Sequence, residues 1–211
     1  MLDSMFYLFF PKRCPYCKAV ISKDKPHCDN CVVGFPKEPL VRRIMSGQIC
    51  TAPLNYDGNY SRAVWDYKFR RMKANSESFS VLIAAAVEYV YDIDEIDIIT
   101  SVPMTRKRKR ARGFDQSREI AQRVAKRLNK PYLPVIVKIK ENDIQHDLRL
   151  ENRHKNVQGV FAAAPDYTLK GKSVLVIDDV CTSGSTISEC CRVLEESGAS
   201  KTFGAVVTLN E

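Results

Sequence analysis

Residues 174–186 read VLVIDDVCTSGST. Four apolar residues, 174–177, run straight into two adjacent aspartates, and a loop of small hydroxyl and glycine residues follows. A near-continuous apolar run is the pattern of a strand buried on both faces. Beyond the loop, Ile187, Cys191 and Leu194 recur at helical spacing, and Gly198 suits the C-terminal cap of that helix. Strand, loop and helix in this order predict one unit of an α/β sheet, with the loop at the carboxyl rim where such sheets bind ligands.

The loop has the chemistry of an anion cradle. Thr182, Ser183, Ser185 and Thr186 supply hydroxyls, the first turn of the helix supplies N–H groups and the positive end of its dipole, and Gly184 lets the backbone approach a ligand without a Cβ. No Gly-Lys-Ser/Thr closes the loop, so it is not a Walker A motif, and it is not a GxGxxG fingerprint. Asp178 and Asp179 would repel a bare phosphate. Ionised carboxylates are acceptors only and suit vicinal sugar hydroxyls. A 5-phosphorylated ribose satisfies both halves, with phosphate in the loop and hydroxyls on the acids.

The rest of the chain fits around this unit. Its 211 residues allow one full domain plus a small appendage, and a hydrophobic content of 45% supports a core. We expect an N-terminal metal-binding module and linker over 1–49 and the main domain over 50–211. Residues 34–40 (GFPKEPL) read as linker, 61–70 and 78–91 as helices, and the run IDIITSVP as a strand stopped by Pro103. Residues 115–129 read as a helix with Asp115 as N-cap, 132–140 as a strand, 141–156 as a polar loop, and 202–209 as a last buried strand. Strands alternating with helices imply a parallel-rich sheet flanked by helices. The apolar run 5–10 is too short for a membrane span and its charges follow it, which argues against a secretory signal and for a cytoplasmic protein.

Four of the eight cysteines lie in CPYCKAVISKDKPHCDNC, residues 14–31. Cys14 with Cys17 and Cys28 with Cys31 form two Cys-x-x-Cys knuckles, the spacing of a tetrahedral zinc site. The spacer offers little that could form a core, so metal supplies most of the folding energy, on the order of 10–16 kcal/mol in such peptides. Four thiolates fill the coordination sphere, so the predicted Zn2+ is structural.

Val174 to Thr186 resembles the PRPP-binding signature of type I phosphoribosyltransferases. The resemblance implies that Asp178 and Asp179 hold the ribose, that Val180, Cys181, Thr182, Ser183, Gly184, Ser185 and Thr186 form the 5-phosphate loop, and that the turn holding Val102, Pro103 and Arg106 lies near the pyrophosphate, with Mg2+ accompanying PRPP. Over almost its whole length the chain is similar to the ComF family of bacterial competence proteins. The matching features are the FP-x-x-C-x-x-C start, Tyr56 to Gly58, Lys68 with Phe69, VPMTRKRKRARGFDQ, Gln145 with Arg153 and Asn156, and VLVIDDVCTSGST. Asp115 and Asn142 depart from the family pattern, in which Asn and Thr are usual.

Lys and Arg outnumber Asp and Glu by 33 to 25, and six of the seven residues in RKRKRAR (106–112) are basic. Lys107, Arg108, Lys109, Arg110 and Arg112 are candidates for a nucleic acid backbone, with Arg106 reserved for PRPP. Tyr56, Tyr60, Trp65, Phe69 and Phe114 are aromatic neighbours that either stack on bases or fill the core. The family resemblance implies a PRPP-binding, DNA-associated factor in natural transformation, handling imported single-stranded DNA on the cytoplasmic side with DNA-processing partner proteins. Two alternatives stand beside it: a catalytically active phosphoribosyltransferase moving phosphoribose to an amine or nucleobase, and a non-catalytic PRPP sensor or adaptor. Cys181 has no base beside it in sequence and reads as a small filler rather than a nucleophile.

Overall fold

The computed structural model of the chain describes residues 11–140 and 157–210. The apolar run 5–10 and the 141–156 loop, with Gln145, Arg153 and Asn156, lie outside the described residues. Beyond the short α1 (Asp29–Val33) come β1 (Leu40–Arg43), β2 (Ile49–Ala52), β3 (Leu54–Asn55), α2 (Gly58–Phe69) and α3 (Asn75–Val90). Next are β4 (Ile98–Ser101), α4 (Arg106–Arg112), α5 (Gln116–Arg127) and β5 (Ile136–Lys138). The chain continues with β6 (Phe161–Ala163), β7 (Ser173–Cys181), α6 (Ser185–Glu196) and β8 (Lys201–Leu209).

The main sheet runs β1-β2-β8-β7-β4, with β3 continuing beside β8. Strands β2, β3 and β7 pair parallel with β8, and β4 pairs parallel with β7; β1 is an antiparallel edge. Strand β7 carries the 174–177 run, whose four residues are fully buried. Because side chains alternate along a strand, Leu175 and Ile177 enter one core with α2, α3 and α5, while Val174 and Val176 enter the other with α6, β5 and β6. The register Ser101 opposite Ile177 brings the ends of β4 and β7 to the same rim.

The structure revises several local expectations. The main sheet starts at Leu40, inside the stretch read as linker, because Val41 and Arg42 pair with Thr51 and Cys50 across a tight turn. Within 132–140 only Ile136–Lys138 forms a strand, and it pairs with β6 in a separate two-stranded sheet; Tyr132 meets the main sheet through an isolated bridge to Ile99. Pro131 and Pro134 flank that bridge, and proline cannot donate to a ladder.

The cysteine module is seated on α2 and α3. Tyr16, between the first two cysteines, is 3% exposed and shares a hydrogen bond with Ser78 (2.9 Å), which also meets His27 Nδ1 (2.9 Å). Phe35 and Tyr60 pack edge-on against Tyr16. Lys18, held in the left-handed region (φ 66°) by the knuckle, donates to Pro15 O at 2.7 Å and to Asp66 Oδ2 at 2.5 Å. Asp66 is buried, and its remaining cation is Arg70, at 3.5 Å. Removing one partner of a buried pair strands the other charge. Lys18→Met is therefore expected to destabilise the zinc-loaded protein by about 2–3 kcal/mol in urea unfolding, with Arg70 limiting the loss.

Candidate functional site

Strand β7 delivers Asp178 and Asp179 to the rim, and two helices meet them. Lys68, in the last turn of α2, pairs with Asp179 Oδ1 at 2.7 Å. Ser117, in the first turn of α5, donates to Asp178 Oδ1 at 2.6 Å, and the same oxygen accepts the Asp179 N–H at 2.9 Å. Burial, and then the charge of Asp179, push the Asp178 carboxyl up to about 7, against the opposing pull of Ser117 and Lys68. Gln116, next to Ser117, is fully buried, and neither its Oε1 nor its Nε2 has a hydrogen-bond partner among the described residues. An acid near neutrality and an orphaned amide at one rim fit a site that takes a polar ligand.

The loop after β7 has the form the sequence predicts. Gly184 caps α6 at φ 77°, and a Cβ there would come 2.8 Å from Ile44 Cγ2, so the turn requires glycine twice over. Ser183 Oγ lies 2.9 Å from Ser185 Oγ. The hairpin of β1 and β2 holds the loop from outside. Arg42 donates to Thr182 O at 2.5 Å and to Asn210 O at 2.6 Å. Cys181 is buried beneath the loop beside Cys50, and Val180 packs against the α2–α3–α5 core, so these two offer a ligand their backbone and not their side chains.

The turn after β4 lines a cavity of about 590 Å3. Pro103, Thr105 and Arg106 form one wall, and Arg118, Tyr132, Lys138 and Lys140 face them, with Asp115 as the acid among these cations. Val102 is buried in the sheet core instead. The Asp115 carboxylate caps α5 by accepting the Arg118 N–H at 3.1 Å, and burial raises its pKa. A cation-rich cavity beside the paired acids can hold a multiply charged anion.

The basic run is helix α4. Thr105 caps it through the Arg108 N–H at 3.2 Å, and Gly113 ends it at φ 84°. Arg106, Lys107, Lys109 and Arg110 are exposed, and Arg108 and Arg112 half-buried. Arg106 alone of these lines the cavity.

The four cysteine sulfurs of Cys14, Cys17, Cys28 and Cys31 lie within 4.8 Å of one another, with Cys14–Cys31 at 3.8 Å and Cys17–Cys28 at 3.5 Å. Tetrahedral zinc with Zn–S bonds of about 2.3 Å separates its sulfurs by roughly 3.8 Å, so the set fits the ion.

Lys68, Ser117, Arg42 and the Arg118–Tyr132–Lys138–Lys140 wall were not singled out by composition or motif as ligand contacts. Lys68 stood only in a family-like pair with Phe69. Its pairing with Asp179 depends on how α2 crosses the sheet, for which no local pattern exists.

The phosphoribosyl transferase domain family matches residues 115–211. DNA utilization protein YhgH from Salmonella typhimurium is 27% identical over 190 residues, covering 88% of this chain and 79% of that protein. Competence protein F from Haemophilus influenzae is 25% identical over 190 residues, with the same coverage of 88% and 79%. Among solved structures, glutamine phosphoribosylpyrophosphate amidotransferase from B. subtilis matches at 21% identity and a TM-score of 0.42, over 61% of this chain and 25% of that one. Among the described residues no helix is long and apolar enough to cross a membrane.

The raised Asp178 pKa has a sign that can be tested. A carboxyl at about 7 in the folded state against 3.8 unfolded binds a proton that the unfolded chain releases, so its contribution is full below pH 4 and is lost as pH rises toward 7. The stability of the wild type relative to Asp178→Asn is expected to fall by roughly 2–4 kcal/mol between pH 4 and pH 8 in urea titrations. For the cysteine cluster, mass spectrometry of intact native protein is expected to show a single bound zinc that Cys17→Ser loses, together with a lower thermal midpoint.

Proposed function

Taking the chain as a member of the ComF family, a four-cysteine module joined to a phosphoribosyltransferase-like domain, we propose that it binds PRPP at the rim of β7 and β4 and works on single-stranded DNA in the cytoplasm. The observation that carries this reading is the pairing of two partnered acids, Asp179 buried and Asp178 partly so, with a glycine-capped loop and a cation-lined cavity at one sheet rim. Relatives named for DNA utilization and competence support the DNA role.

In this reading the 5-phosphate sits on the loop of Thr182, Ser183, Gly184, Ser185 and Thr186, held by N–H groups at the start of α6 and by the hydroxyls. Asp178 and Asp179 accept the ribose hydroxyls. The pyrophosphate lies beside the 103–106 turn, with Arg106, Arg118 and the two lysines of the facing wall neutralising its charge. Mg2+ accompanying PRPP would screen the pyrophosphate further. Asp178 must be ionised to accept two hydroxyl donors, so binding below pH 7 releases its proton. Lys68 neutralises Asp179 when no ligand is bound, which lets two acids share one rim without unfolding it. Positioning and stabilisation of the leaving group are what such a site can contribute if phosphoribose is transferred.

Calorimetric titration of PRPP with Mg2+ tests the reading. Asp178→Asn and Asp179→Asn are each expected to weaken binding about 10–100-fold, the worth of a charge-assisted hydrogen bond. At pH 6 in two buffers of different ionisation enthalpy, the wild type is expected to release close to one more proton than Asp178→Asn. Absence of PRPP binding to the zinc-loaded wild type would overturn the assignment. Pyrophosphate release with an amine or base present would establish transfer, and its absence with intact binding would leave a sensor or DNA-handling role.

A further inference from the structure

Helix α2 carries two large rings that the core does not take. Trp65 is 46% exposed and Phe69 is 52% exposed, and they lie one turn apart with centroids at 5.5 Å and ring planes at 37°. Exposing two adjacent rings forfeits burial that each would gain elsewhere, so an uncovered pair points to a partner. A cation sits against each. The Arg70 guanidinium lies 5.3 Å from the Trp65 ring, and that of Arg112 lies 4.8 Å from the Phe69 ring.

The end of α4 is fixed against the end of α2. Arg71, at φ 56°, donates to Ala111 O at 3.2 Å. The basic helix therefore continues the aromatic pair as one surface. It runs from Arg106 at the cavity wall to Arg112 over Phe69, a span of about 10 Å at helical rise. Of its seven residues none is acidic, and the acid of the adjoining turn, Asp66, is buried toward the cysteine module.

We propose that Trp65 and Phe69, flanked by Arg70 and Arg112, form a base-stacking platform for single-stranded DNA, with the phosphates of the strand running along α4 toward the phosphoribose site. The proposal rests on the DNA-handling reading above and gives it a location. Charge complementarity selects the occupant, since a row of cations suits a polyanion. The flat rings select a single strand, because a duplex keeps its base faces stacked inside. The Arg70 and Arg112 guanidinium groups over the rings add cation–π contacts to the same surface.

Trp65 is the only tryptophan in the chain, so its emission reports this site alone. Zinc-loaded full-length protein is titrated with oligo(dT) of twenty nucleotides and, separately, with a blunt duplex of equal length. Fluorescein anisotropy on the labelled oligonucleotide runs in parallel. The expected result is saturable quenching of Trp65 by the single strand, with a midpoint that matches the anisotropy curve, and little quenching by the duplex. Phe69→Ala and Trp65→Ala, both at exposed positions and checked by thermal melting, are expected to weaken oligo(dT) about 5–150-fold, the effect of losing one stacked base. Lys107→Gln with Arg110→Gln is expected to flatten the log–log salt slope by about 1.4 while the quenching persists.

Oligo(dT) binding with unchanged Trp65 emission, and with wild-type affinity in Phe69→Ala, would overturn the platform and leave the DNA reading standing. Equal quenching by duplex would also overturn it. If no oligonucleotide binds at all, both the platform and the DNA reading fall. If Phe69→Ala binds DNA normally but loses a protein partner, the surface is a protein-docking site and the platform is excluded.

Discussion

Two carboxylates side by side at the end of a strand buried on both faces are the constraint around which this protein is arranged. Burial first, and then the neighbouring charge of Asp179, disfavour the ionised form of Asp178 and raise its pKa. The fold answers with a different partner for each acid: a hydroxyl from the start of α5 for Asp178, and an ammonium from the end of α2 for Asp179. Those contacts tie two helices to the sheet rim. One of those helices, α5, also lines the cavity through Arg118.

Helix α2 joins three parts of the molecule because successive residues point about 100° apart. Asp66 turns toward the cysteine module and holds Lys18, and Lys68 turns toward the acids of the site. Trp65 and Phe69, one turn apart, face outward. Loss of the metal would therefore act first on the knuckle that positions Lys18, and through Asp66 on the helix that supplies Lys68. Helix α4 connects a second pair of features, with Arg106 in the cavity wall and Arg112 on Phe69.

The parts legible in the sequence share one property: their signals are local. The knuckle spacing of Cys14, Cys17, Cys28 and Cys31 needs only eighteen residues to declare a four-sulfur site, and the sulfurs do converge. The 174–177 run is a buried strand, and a loop and a helix follow it as the pattern predicts. Asp115 caps its helix as expected. What failed was also local, but weak. Leu40 was read as the end of a linker because Pro36 and Pro39 precede it, yet pairing with β2 makes Leu40–Arg43 the sheet edge. The aromatic residues were ambiguous for a different reason. Composition cannot say which rings of a helix the core takes, so Trp65 and Phe69, which lie outside it, read like Tyr60 and Phe114, which pack against it.

By itself the sequence determined the strand–acid–loop–helix unit, the metal-ligand set, the sign of the charge and the α/β class, because each is carried by residues within one or two elements of one another. Only the tertiary structure decided which donors meet the acids and the loop. Ser117 and Asp178 are 61 positions apart, and Arg42 reaches Thr182 across 140. Such pairings follow from the rotation and crossing of packed helices and from strand order in the sheet. Those are set by how all the buried side chains fit together at once, and no short stretch of sequence contains that information.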